Sequence, residues 1–161
     1  MPITPYGKYH LAFNGEVVTD VQDFFEIKAA PNAVVTIEEL FWNQYGTGTT
    51  DEFLKMTYRV YSGTPSSGSG GSSITPQKLA RGDAAAGSTA ERNNTTQISG
   101  GVVEYEKPFV INSLRRERKE LILIQEPIIL SPGEFFVWAL ATNPTDGLSL
   151  DCHIVFNEYG G

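Results

Sequence analysis

Leu148-Ser149-Leu150-Asp151-Cys152-His153-Ile154-Val155-Phe156 places apolar side chains at even positions and mainly polar ones at odd positions. Successive side chains of a strand point to opposite sides, so this period of two predicts a strand with one buried and one wetter face. Residues 53–61 read the same way, with Leu54, Met56, Tyr58 and Val60 on one side and Lys55, Thr57 and Arg59 on the other. In residues 34–42 the phase changes, because Val35 and Ile37 share one parity while Leu40 and Trp42 fall on the other. A β-bulge near Glu38 and Glu39 restores a single buried face.

Two runs, residues 121–124 and 135–140, are apolar at every position, which suits a strand that lies centrally or faces another subunit. For the second, Phe136, Trp138 and Leu140 are the expected contacts with a symmetry mate. Between the runs, Ser131-Pro132-Gly133-Glu134 has Pro and Gly where a type II turn needs them, and a hairpin is expected there. Residues 9–13, 24–29, 102–106 and 109–111 are further strand candidates. About eight short strands, with no persuasive helix, predict an all-β fold: a jelly-roll-like β-sandwich.

The 161 residues fit one domain with one core, and nine Phe, seven Tyr and two Trp can fill it. Sixteen Gly and nine Pro supply the tight turns of such a fold. A net charge of -7 argues against a nucleic-acid backbone as the main partner, since phosphate attracts a positive surface. The first residues lack a charged segment followed by an apolar run, and no apolar stretch is long enough for a bilayer, so a soluble chain without a secretory signal is expected. Cys152 is the sole cysteine, which excludes an internal disulfide, and its place in an alternating series suits a small core residue.

Residues 62–73 contain no apolar or charged side chain beyond Pro65, and similar small-residue character continues to Gly101. Residues 62–101 are therefore expected to be a long loop insertion, mobile over 62–73 and anchored further on by Ile74, Pro76, Leu79 and Ile98. Ile74 and Leu79 are its candidate partner contacts.

Chemistry-bearing patterns are sparse. Ser149, Asp151 and His153 lie on one strand face with Asp in the middle, whereas a catalytic triad needs His between the other two. They read as the wet face of the strand. Glu104 and Glu106 project side by side and cannot flank a substrate as a glycosidase pair does, which makes a solvated edge strand the better reading. His10 and His153 are the only imidazoles, and Asp20 and Asp23 lack the dense acidic loop of a calcium site, so no metal or cofactor is expected. Arg81-Gly82-Asp83 matches an integrin-binding tripeptide, but Gly-Asp is ordinary turn chemistry. Asn93 and Asn94 each open a glycosylation sequon, which implies nothing about glycosylation if, as expected, there is no secretory signal.

Charge is segregated along the chain. Arg115-Arg116-Glu117-Arg118-Lys119 concentrates four of the 12 basic residues, whereas residues 1–54 hold eight acids against Lys8 and Lys28. Arg115, Arg116, Arg118 and Lys119 form a candidate docking patch for an acidic surface on a neighbour.

Phe24-Phe25-Glu26-Ile27 leading to Val34-Val35-Thr36-Ile37, Tyr58-Arg59-Val60-Tyr61 before a small-residue loop, Ile74-Thr75-Pro76, and Ile128-Ile129-Leu130-Ser131-Pro132-Gly133-Glu134 before an aromatic strand make a layout spanning most of the chain. It resembles the small jelly-roll decoration, or cement, proteins of tailed bacteriophage capsids. The resemblance implies a homotrimer seated on the capsid surface of the virion, clamping major capsid protein subunits, with no catalytic residues. Before assembly such a protein is soluble in the host cytoplasm. The same layout is similar to trimeric heads of the tumour necrosis factor and C1q type and to receptor- or glycan-binding tips of phage tails. Fold analogy alone does not separate these uses. A binding or building component, not an enzyme, is the expectation.

Overall fold

The computed structural model describes residues 5–46, 48–115, 118–122 and 126–160, with backbone only for residues 5, 6, 15, 16 and 118–122. In chain order its strands are β1 (Pro5–Val18), β2 (Gln22–Lys28), β3 (Ala33–Gly46), β4 (Phe53–Ser62), β5 (Ser72–Ile74), β6 (Gln77–Lys78), β7 (Thr89–Asn94), β8 (Val102–Asn112), β9 (Arg118–Ile122), β10 (Ile128–Leu130), β11 (Phe135–Leu140) and β12 (Leu148–Gly160). Among the described residues no helix is long and apolar enough to cross a membrane.

The strands form two antiparallel sheets, β10-β3-β12-β1-β6 and β5-β7-β2-β11-β4-β8. β9 pairs with β3 alongside β10, so the two occupy successive stretches of the same β3 edge. With β5, β6 and β7 set apart, β1-β12-β3-β9/β10 packs on β2-β11-β4-β8. Counting β9 and β10 as one strand, successive strands cross between the sheets everywhere except at β4 and β8, which pair within one sheet, and this is the connectivity of an eight-stranded jelly roll.

Periodicity is obeyed where it was clear and adjusted by bulges where it was not. Leu148, Leu150, Cys152, Ile154 and Phe156 of β12 all point into the core. In β3, Val155 lies opposite Glu39 and Phe156 opposite Ile37, so Glu38 is the extra residue and the expected bulge is present. A second bulge lies in β2, where Trp138 faces Phe25 and Ala139 faces Asp23. It leaves Phe24 unpaired and turns both Phe24 and Phe25 inward against Phe13 and Trp138. Burying each such ring contributes about 1.5–3 kcal/mol.

β11 lies centrally, between β2 and β4. Phe136, Trp138 and Leu140 point into the intersheet core with no exposed surface, so the expected symmetry contact through them is corrected. The opposite face, Phe135, Val137 and Ala139, is covered by Tyr61 and Ile98 of the same chain. Of the two alternatives for the other apolar run, the central position is not the one adopted. Its first residues, Leu121 and Ile122, lie on β9 at the edge of a sheet, and residues 123–124 fall outside the described residues. Ser131 to Glu134 does make a turn, with Gly133 at φ 81° and Glu134 N–H donating to Ser131 O at 3.0 Å. It carries the chain from one sheet to the other and does not close a hairpin, because β10 and β11 belong to different sheets.

Residues 62–101 depart most from expectation. The outgoing and returning halves run side by side through the bridges Ser66–Ser99 and Ser69–Thr96 and the pairing of β5 with β7. β7 then joins the β2 edge of one sheet and β6 the β1 edge of the other, so the segment walls off one side of the sandwich. Three buried carboxylates from the body hold it by its backbone. Asp23 accepts the N–H of Ile98 at 2.7 Å, Glu26 that of Gly68 at 2.9 Å, and Glu158 those of Gly87 and Ser88 at 2.8 Å each. Charge-assisted bonds to backbone N–H groups are among the stronger ones, and they need no apolar side chain on the segment they hold. Small residues are required for the close approach: a Cβ at Gly71 would lie 2.1 Å from Arg92 O.

Candidate functional site

Among the described residues, the side of the sandwich opposite that wall is uncovered: β8 is the outermost strand of its sheet and pairs with β4 alone, leaving an eleven-residue edge. Lys107 and Pro108 within it are typical of an edge, since charge and a missing N–H discourage indiscriminate pairing. Val102, Val103, Tyr105 and Val110 are nevertheless exposed on it, Val102 by 56%. Phe53 at its end and Ile129 on β10, exposed by 58%, extend the apolar surface.

Where β8 meets the approach to β10, a cleft of about 310 Å³ opens between the sheet edges. Val60, Tyr105, Pro127, Ile128 and Ile129 form its apolar wall, and Glu104, Glu126 and Glu134 its rim. Register explains the position of Glu104. Val60 faces Tyr105 while Tyr61 faces Val103, so Glu104 is a bulge residue and leans out of the strand. It accepts a hydrogen bond from Ser62 Oγ, and Glu134 accepts one from Ser131 N–H at 2.7 Å. Glu106, by contrast, is paired with Arg59 at 3.1 Å, so the two carboxylates expected to project together have separate partners. Among the described residues no cation forms an ion pair with Glu104, Glu126 or Glu134.

The expected docking residues are dispersed. Arg115 is exposed just beyond the far end of β8, and Arg116 lies outside the described residues. Arg118 and Lys119 lie on β9 opposite Asn43 and Trp42. Ile74 packs against the core, whereas Leu79 is 56% exposed on the opposite wall, where its N–H donates to Lys8 O. Asp83 of the Arg-Gly-Asp turn accepts the N–H of Lys8 at 3.0 Å, which ties that turn to β1. Asn94 is buried and donates to Glu91, so that sequon is not a surface feature.

The outer face of the other sheet carries a polar band. His153 Nε2 lies 2.8 Å from Glu39 Oε1, and its ring stacks on Phe41 at 4.5 Å. His10 sits 5.3 Å from His153, and burial together with that neighbouring ring lowers its pKa, against the opposing pull of Glu39. The partner of His153 is thus Glu39 from β3, as a wet strand face would provide, and no group of three or more His, Cys, Asp or Glu among the described residues is arranged for a metal ion. Burial raises the Cys152 thiol well above its ordinary range. The cleft was missed in the sequence because its walls come from four separate stretches, although the Pro108 edge signal and Glu126-Pro127 were visible.

No family model, curated protein or solved structure matches the chain.

Proposed function

We propose that the chain is a capsid decoration protein: a jelly roll that assembles as a homotrimer and seats on a viral shell, stabilising contacts between major capsid protein subunits. The observation that carries this reading is the β8 edge, a long strand with no second partner strand among the described residues, whose exposed Val102, Val103, Tyr105 and Val110 offer a surface for another polypeptide. The position of the tryptophans supports it over the glycan-binding alternative. Trp42 and Trp138 are sealed in the core, and neither can serve as a stacking platform for a sugar.

The test is electron microscopy of particles from the source of the protein, with and without the purified chain added back. Density for a jelly roll on the outer shell is expected. Bare shells that take up no added chain would sink the proposal, as would its density at a tail tip.

A further inference from the structure

We infer that the glutamate-rimmed cleft between β8 and β10 receives the basic segment 115–119 of a neighbouring copy of this chain. This deepens the assembly reading and rests on it for the premise that copies meet.

Charge and distance together point to a second copy. Glu104, Glu126 and Glu134 surround an apolar-walled cleft and have no ion-pair partner among the described residues. The sequence concentrates its positive charge in Arg115, Arg116, Arg118 and Lys119, and the same side of the sandwich carries Arg115, just past β8, and the backbone of Arg118 and Lys119 on β9. The two charges sit at opposite ends of that side. Ile128 of the cleft pairs with Ile37 of β3, and Arg118 with Asn43, six residues further along the strand. Six residues of strand span roughly 20 Å, well beyond the reach of an Arg side chain. Along β8, Glu104 and Asn112, just before the basic segment, are eight residues apart, or roughly 26 Å.

One chain therefore cannot satisfy its own cleft, whereas two copies offset along this side can bring the basic end of one against the acidic end of the other. Arg is suited to that role, because its guanidinium bonds carboxylates in a fork while its stem covers apolar surface such as Ile129 and Tyr105. The exposed side chains of β8 lie between the two ends and would be buried in the same contact. A contact between two different patches generates a ring when the rotation closes, so the arrangement is compatible with a trimer.

Sedimentation velocity on the full chain alone, at micromolar concentration and increasing salt, tests the proposal through two charge-reversal variants, Glu104→Lys with Glu126→Lys and Arg115→Glu with Arg118→Glu. The wild type should self-associate, more weakly as salt rises, and each variant should associate less tightly by about tenfold or more. An equimolar mixture of the two variants should recover association, because the reversed cleft then meets a reversed segment. The milder pair Glu126→Gln and Arg115→Gln should weaken association in the same direction, which guards against a reversal variant that folds poorly. A monomeric wild type, unchanged association in the variants, or a mixture that stays dissociated would overturn the contact. Because no particle is present, this result is separate from that of shell binding. Copies that associate through the cleft yet never bind a shell would sink the decoration reading and uphold this one.

Discussion

Asp23 Oδ2 accepts the backbone N–H of Ile98 at 2.7 Å, joining β2 to the returning half of a segment 75 residues further along the chain. Gln97 Nε2 donates to the other oxygen at 3.1 Å. Burial pushes the Asp23 carboxyl up to about 7, against the pull of these two donors and with a further rise from Glu26. A Gly- and Ser-rich stretch is thus held by a group that pays heavily to be charged.

The contribution of Asp23 to stability should therefore fall as pH rises. The folded pKa of Asp23 lies above the unfolded value of about 3.9, so folding takes up a proton in between and the stabilisation is complete only below about pH 4. It is lost as pH climbs towards 7, and the whole interval corresponds to on the order of 4 kcal/mol. Asp23→Asn cannot titrate, so it should gain on the wild type across that range. Denaturant unfolding of both proteins at pH 4, 5.5 and 7.5 gives the comparison, and parallel pH profiles would show that Asp23 is not the group responsible.

Glu26→Ala should loosen the outgoing half of the segment. It removes the acceptor of Gly68 N–H and of Ser67 Oγ, and a lost charged acceptor costs about 1–3 kcal/mol. Faster amide hydrogen exchange at residues 66–70, with β11 and β12 still protected, is the expected signature. Exchange at Gly68 that was already fast in the wild type would mean that the carboxylate is not holding it.

Trp138→Ala should destabilise the monomer by about 3–5 kcal/mol, since the indole is packed among Phe24, Phe25 and Tyr58 inside one chain. The loss should be the same across protein concentrations. A melting temperature that fell only at high concentration would place the ring between subunits after all.

Ile74→Ser and Leu79→Ser should separate. Ile74 packs against the core, so its loss should cost about 1–2 kcal/mol of folding stability, whereas the exposed Leu79 should stay within about 0.5 kcal/mol. Thermal melts of the two single variants decide it. Equal losses would count against the packing of β5.

Much of the sandwich was legible because a period of two is a local property. Leu148 to Phe156 states its own inner face, and the phase slip at Glu38 announces a bulge without reference to any other strand. The bulge at Phe24 left no such trace, since Phe24 and the next residue are both Phe and either parity reads as buried. For the candidate site, the solvated edge was legible from Glu104 and Glu106, but the cleft required Val60, Glu104, Glu126 and Glu134 to be brought together from distant stretches.

By itself the sequence determined the all-β class, most strand positions, the buried Cys152 and the segregation of charge, because each follows from neighbouring residues or from composition. Tertiary structure alone decided that Phe136, Trp138 and Leu140 face inward and that residues 62–101 form a wall of the fold. The reason is physical. A segment with few apolar side chains does not order itself, and its order comes from backbone pairing and from Asp23, Glu26 and Glu158, whose carboxylates meet its N–H groups only after the sheets have closed.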